Sequence, residues 1–191
     1  VIGQIYEEII PPDERHSLGQ YYTPKEIVEL IIDLAVESSE DTILDPGCGS
    51  GGFLVGGYNE IASRSEDKDH EEILEQIYGV DINRFPAHLS AINLALRDLS
   101  TETHDTHIVV EDFFNLIESQ GRVVSAQRAD VGDSEEEQED EDDYGVEVPS
   151  TIDVAVANPP YIRNENIADE EGVRGHLDNL GIDLSERSDI F

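Results

Sequence analysis

The stretch that most restricts the fold is TILDPGCGSGGFLVGG, residues 42–57. TILD reads as a short apolar strand. PGCGSGG breaks it, and a helix follows from about Gly51 to Ser63. A strand that turns through glycines straight into a helix is the first half of a crossover unit, which returns the chain to a parallel neighbour. The rest of the sequence repeats the alternation. IYGVDI (77–82) reads as a second strand, PAHLSAINLALRDL (86–99) as a helix started by Pro86, HIVVEDFF (107–114) as a third strand and TIDVAVA (151–157) as a fourth. The pattern predicts an α/β fold with a doubly wound parallel sheet. The unbroken apolar runs of the first and fourth strands suit strands covered on both faces.

Ahead of the glycine turn, QYYTPKEIVELIIDLAV predicts a helix over about Pro24–Val36. Thr23 is its candidate N-cap, Pro24 its first residue, and Glu26 the partner in a T-x-x-E capping box. Ile27, Leu30, Ile31 and Leu34 are expected to face the core. In residues 1–19, Ile2, Ile5, Tyr6, Ile9 and Ile10 fit one helix face that Pro11-Pro12 ends. SRSEDKDHEE (63–72) reads as a polar connection.

Charge is the strongest compositional signal: 45 acids against 11 bases, a net −34. The run 133–147 (DSEEEQEDEDDYGVE) has too little to bury and reads as a disordered loop. Removing its ten acids still leaves 35 against 11, so the acidity is spread over the chain. Lys25 and Lys68 are the only lysines. The balance reads as a halophile-type surface, whose self-repulsion would need salt. No apolar run is long enough for a membrane span, and no signal peptide opens the chain. The single Cys48 excludes an internal disulfide and fits a reducing cytoplasm. The chain begins with Val and has no Met, so it reads as a piece of a longer product.

Ligands of open α/β sheets bind beyond the carboxyl ends of the strands. Asp45, Asp81, Asp112 and Asn158 stand at four such ends. Gly47, Gly49 and Gly52 satisfy G-x-G-x-x-G, which also fits dinucleotide binding. Against that reading, Asp45-Pro46 precedes the glycines, and a carboxylate there suits a cationic ligand better than a pyrophosphate. The fourth strand ends in Asn158-Pro159-Pro160-Tyr161. Two prolines cannot extend a ladder, so they hold an amide and a ring rigidly at the strand's end.

Taken together, DPGCGSGGF (45–53), NPPY (158–161) and GQYYTP (19–24) resemble the S-adenosylmethionine-dependent DNA adenine-N6 methyltransferases of the gamma class. The likeness is greatest to modification subunits and fused methylases of type I and type IIG restriction systems. The resemblance covers roughly residues 1–165 and implies a Rossmann-like class I methyltransferase fold. It implies that Asp45, Pro46, Gly47, Gly49 and Gly51 hold the methionine part of S-adenosylmethionine, with Tyr22 and Thr23 closing over it. Asp81 would take the ribose hydroxyls, Ile82 would pack on the adenine, Asp112 would bind its amino group, and Phe113 would stack nearby. Asn158, Pro159, Pro160 and Tyr161 would be catalytic. The Asn158 side-chain oxygen and the Pro159 carbonyl would draw the amino hydrogens of a flipped adenine, and Tyr161 would stack on its ring. Transfer would be direct, without a metal or a covalent intermediate.

The expected organisation is an N-terminal helical segment with a cofactor motif (1–36), a methyltransferase core (37–165) with an acidic disordered insert at about 125–147, and the start of a truncated second half (166–191). DNA is the expected partner, with a specificity subunit or fused target-recognition domain and a nuclease, in the cytoplasm. Related NPPY enzymes modify release-factor glutamine or guanines in RNA. Two further functions compete with these: a catalytically incomplete fragment that binds cofactor or a partner subunit, and an NAD-dependent oxidoreductase. Cys48 lies in the glycine turn and reads as a packing residue. His104 and His107 read as exposed loop histidines, not a metal pair.

Overall fold

The computed structural model describes residues 23–65, 67–100, 105–113, 127–128, 149 and 151–159. The chain divides into two compact units, and all described residues except Pro159 belong to the first. In chain order this unit contains α1 (Lys25–Ala35), β1 (Ile43–Asp45), α2 (Gly52–Arg64), α3 (His70–Leu74), β2 (Ile77–Asp81), α4 (Arg84–Ala95), β3 (His107–Val110), β4 (Gln127–Arg128) and β5 (Val154–Ala155). The sheet order is β4-β3-β2-β1-β5. β5, β1, β2 and β3 are parallel, with Ile43 opposite both Ile77 and Val154. β4 is antiparallel to β3, pairing Arg128 with Val109. It falls inside the stretch 125–147 expected to be disordered, so two residues of that insert form a sheet edge. The acidic run 133–147 and the helix expected near the amino terminus lie outside the described residues.

Successive strand residues point to opposite faces, and the core divides accordingly. Ile43, Ile77, Ile108 and Val154 join the side chains of α1, α2 and α4 in the main cluster, with Leu54, Ile61 and Leu94 fully buried among them. On the other face Leu44, Val80 and Val109 form a smaller cluster with Tyr78, Phe113 and Ile152.

Four expectations for the helical segments change. α1 buries Val28 and Ile32, and Val36 at its C-cap is buried too, while Ile27, Leu30, Ile31 and Leu34 are 45%, 54%, 36% and 73% exposed. The buried stripe is the one that meets α2 at Gly56, where a Cβ would sit 3.0 Å from Val28 Cγ1 and 3.2 Å from Ile32 Cγ1. The helix is apolar on two sides, and the close approach at Gly56 selects the side with the branched residues. The capping box at Thr23 does not form. Pro24 is the N-cap, and no side chain caps the helix. α4 starts at Arg84, two residues before Pro86, and ends at Ala95. Pro86 still sits in the first turn, where its missing N–H costs no bond. The polar connection contains α3, held by a capping box in which Asp69 accepts from Glu72 N–H and the Glu72 carboxylate accepts from Asp69 N–H.

Candidate functional site

The site is built from the turn after β1. Asp45 is the last residue of that strand and is 1% exposed. Its Oδ1 accepts from Gly47 N–H at 3.0 Å. The turn then crosses to β2: Cys48 N–H donates to the Val80 carbonyl at 2.9 Å, and Gly49 N–H to Asp81 Oδ2 at 2.9 Å. Gly49 (φ 52°) and Gly51 (φ 84°) adopt left-handed backbone that side-chain-bearing residues avoid. Gly51 is also closed to any side chain, since a Cβ there would lie 2.5 Å from Ser90 Oγ. At Gly47 and Gly49, by contrast, a Cβ would meet nothing within 4 Å. The turn is thus packed on its inner side and open above.

Two buried acids sit at this edge. Burial pushes the Asp45 carboxyl up to about 7, the Gly47 N–H opposes the rise, and the charge of Asp81 adds to it. Burial also raises Asp81, against the donors Asn83 N–H and Gly49 N–H. Asp81 Oδ1 accepts from Asn83 N–H at 2.7 Å, so the carboxylate ties the turn after β2 to the glycine turn after β1. An open glycine turn over two crowded carboxyls is electrostatically suited to a cation. The donor set fits the sulfonium and ammonium of S-adenosylmethionine. Burial, with the nearby Asp45 and Asp81 charges, raises the Cys48 thiol well above its ordinary range, which fits an inert packing role.

The strand next to β1 on the other side is β5, and it brings in Asn158. Val156 N–H donates to the Leu44 carbonyl at 2.9 Å, which fixes the exit of β5 beside that of β1. Asn158 Nδ2 donates to Thr23 Oγ1 at 3.0 Å. Asp45, Gly47, Gly49, Gly51, Asp81 and Asn158 therefore stand at the carboxyl ends of three adjacent strands, with Pro46 half-buried between the first two. Ile82 follows at 66% exposure, an uncovered apolar side chain beside Asp81. Asp112 lies half-buried beyond β3, and Phe113 packs with the Leu44, Val80 and Val109 cluster. Tyr22, Pro160, Tyr161 and His104 lie outside the described residues, and Pro159 belongs to the second compact unit.

Two residues not singled out from sequence take part. Asn93 Nδ2 on α4 donates to the Ser50 carbonyl at 2.9 Å and holds the far end of the glycine turn. Asn83 supplies the second donor to Asp81. Neither carries a sequence signal, because an Asn within a helix or a turn has many ordinary uses. His107 is the first residue of β3, half-buried and stacked on Tyr78 with ring centroids 4.8 Å apart, not an exposed loop residue. Among the described residues no group of three or more His, Cys, Asp or Glu could hold a metal, and no helix is long and apolar enough to cross a membrane.

Comparison with known proteins gives concordant results. A family model described as N-6 DNA Methylase matches residues 1–177. The methylase subunit of the type I restriction enzyme EcoEI from Escherichia coli is 27% identical over 110 residues, covering 56% of this chain and 22% of that protein. The methylase subunit of the type I restriction enzyme MjaVII from Methanocaldococcus jannaschii is 32% identical over 109 residues, covering 56% of this chain and 18% of that protein. The chain thus matches about a fifth of the length of these relatives. A solved chain from a study of complex assembly and conformational transition in a type I R-M system superposes with a TM-score of 0.51 at 19% identity, over 87% of this chain and 30% of that one. That likeness shows a shared fold.

Proposed function

The chain belongs to the N-6 DNA Methylase family, and from that premise we propose that it transfers a methyl group from S-adenosylmethionine to the N6 amino group of adenine in DNA. The observation that carries the proposal is that β5 runs directly beside the strand that ends in Asp45 and the glycine turn, and leads out to Asn158 just beyond its end. An acceptor for a target amino group then neighbours a glycine turn and two carboxyls suited to a cationic cofactor.

When bound, S-adenosylmethionine supplies an electrophilic methyl group on a sulfonium. The protein's part is to hold and to orient. Asp45 presents a carboxyl to the cationic end, and Gly47 and Gly49 leave the backbone open for close approach. Gly51, Pro46, Tyr22 and Thr23 shape the same end. Asp81 offers its remaining lone pairs to the ribose, Ile82 its exposed side chain to the adenine, and Asp112 and Phe113 flank that ring. At the target, the adenine nitrogen lone pair is delocalised into the ring and is a poor nucleophile. Acceptors aimed at both amino hydrogens favour a more tetrahedral nitrogen and free its lone pair. Asn158 Oδ1 is one acceptor and the Pro159 carbonyl the other, kept rigid by Pro160, with Tyr161 as a stacking face. DNA with its adenine flipped out is the substrate, a specificity subunit or fused recognition domain reads the sequence, and a nuclease is the companion activity, all in the cytoplasm. Segments 1–36, 37–165 and 166–191 are the working divisions.

The test supplies methyl-labelled S-adenosylmethionine to the full gene product in strong KCl, with unmodified DNA, RNA and a release factor in parallel. Label in DNA as N6-methyladenine, lost in Asn158→Ala while cofactor binding persists, is the expected result. Label in RNA or protein would replace the substrate. Cofactor binding with no label anywhere would favour a catalytically incomplete or partner-dependent chain.

A further inference from the structure

The hydrogen bond from Asn158 Nδ2 to Thr23 Oγ1 spans 135 positions of sequence and is 3.0 Å long. Thr23 lies one residue before Pro24, the N-cap of α1, although its spacing to Glu26 is that of a capping threonine. It caps nothing: α1 has no side-chain N-cap bond. With Pro24 at the cap, the Thr23 hydroxyl serves the distant Asn158 instead.

We propose that Thr23 is a positioning residue for Asn158, its hydroxyl fixing the side-chain amide so that Oδ1 faces the amino group of the target base. The inference rests on the reading of Asn158 given above. The end of an asparagine is nearly symmetric in shape and opposite in chemistry, and its last torsion is soft and two-fold. Turned over, the amide would aim a donor at a donor. Thr23 Oγ1 accepts one Nδ2 hydrogen and so restrains the amide plane, with Nδ2 towards Thr23 and Oδ1 turned away from it. Both ends of the bond are anchored. Thr23 is followed by Pro24, which restricts its backbone, and by the buried Val28 and Ile32 of α1. Asn158 follows Val156, which is buried and bonded to Leu44. Thr23 has thus a second use besides shaping the methionine end of the cofactor site, and the two uses give different kinetics.

The experiment compares Thr23→Val, Thr23→Ser and Asn158→Ala in the full gene product. It measures S-adenosylmethionine affinity and, separately, the single-turnover rate of methyl transfer to unmodified DNA at saturating cofactor. Thr23→Val is expected to lower that rate about 10- to 100-fold at saturating cofactor, over and above any weakening of cofactor binding, and Thr23→Ser to restore it to within about threefold. A second readout is the exchange of the Asn158 side-chain amide protons with solvent, assigned by their loss in Asn158→Ala. It should quicken in Thr23→Val and not in Thr23→Ser, and it remains measurable in Thr23→Ala should the valine variant fold poorly. Wild-type transfer by Thr23→Val beside an inactive Asn158→Ala would overturn the proposal and leave the role of Asn158 standing. A deficit that vanishes at saturating cofactor would overturn it too, reducing Thr23 to a cofactor contact. An active Asn158→Ala would remove the underlying reading itself.

Discussion

The most informative perturbation is Asp45→Asn. Asp45 is buried at the end of β1, and its carboxyl is raised from 3.8 to about 7, chiefly by burial. In the free protein the folded state therefore holds a proton there that the unfolded chain releases above pH 4. A folded value above the unfolded one gives stability that is fully present below the unfolded value and lost as pH rises through about 7. The gap of roughly three units corresponds to about 4 kcal/mol between the two limits, of which about 3 kcal/mol is lost between pH 5 and pH 8. Asp45→Asn keeps an oxygen for the Gly47 N–H and removes the titration. Its extra amide hydrogens carry a cost that does not depend on pH. The stability difference between variant and wild type should thus shift in the variant's favour by about 3 kcal/mol from pH 5 to pH 8, opening a Tm gap of roughly 6–12 °C. The assay is thermal unfolding of both proteins, without cofactor, in one KCl concentration at four pH values. A difference that stays constant, or moves the other way, would refute the argument that burial governs this carboxyl. The proposed cationic cofactor reverses the balance. It favours the ionised form, so its binding at pH 6 should release close to one proton and weaken by up to tenfold relative to pH 8, while Asp45→Asn binds poorly at every pH.

Other outcomes follow from single contacts. Asn93→Ala removes the bond to the Ser50 carbonyl; we expect about 1 kcal/mol of destabilisation in a denaturant titration and a several-fold weaker cofactor by calorimetry. Gly51→Ala places a Cβ against Ser90 in left-handed backbone, and should cost about 1–3 kcal/mol with loss of cofactor binding. Gly56→Ala would press α2 onto Val28 and Ile32 and is expected to lower stability by about 1–3 kcal/mol without changing the affinity for cofactor. The halophile-type reading predicts that Tm rises as KCl is raised; a flat response would dismiss it.

What the sequence revealed, and what it hid, follows the range of the forces involved. β1, the glycine turn and α2 are legible because each is specified within a few residues: an apolar run, glycines at two left-handed positions, then an apolar-periodic helix. β2 and β3 are legible for the same reason, and parallel order follows from the alternation. α3 is equally local, since Asp69 and Glu72 spell a capping box, but the acids around them mask the signal in a chain where acids are everywhere. β4 is two residues long, and nothing in Gln127–Arg128 distinguishes an edge strand from a loop.

The reversal of α1 has a different origin. Ile27, Leu30, Ile31 and Leu34 form a fair helical stripe, and so do Val28, Ile32, Ala35 and Val36. Periodicity scores both. The choice between them is made in tertiary packing: Val28 and Ile32 lie against Gly56 of another helix, so close that a Cβ there would crowd them. The same distinction runs through the site. Asp45 and the glycines are visible in the sequence because the turn needs them in consecutive order. The roles of Asn83, Asn93 and Thr23 depend on which strand lies beside which. Once β5 is placed next to β1, the amide of Asn158 comes within reach of a threonine that local rules assign to a helix cap, and the hydroxyl goes to the longer-range partner. A helix beginning can do without one capping bond, because its first N–H groups remain open to water. On the proposed reading, the half-buried Asn158 amide must present one end and not the other, and the Thr23 hydroxyl is one of the partners that restrain it. The Thr23→Val and Thr23→Ser pair tests whether that hydroxyl restrains the Asn158 amide.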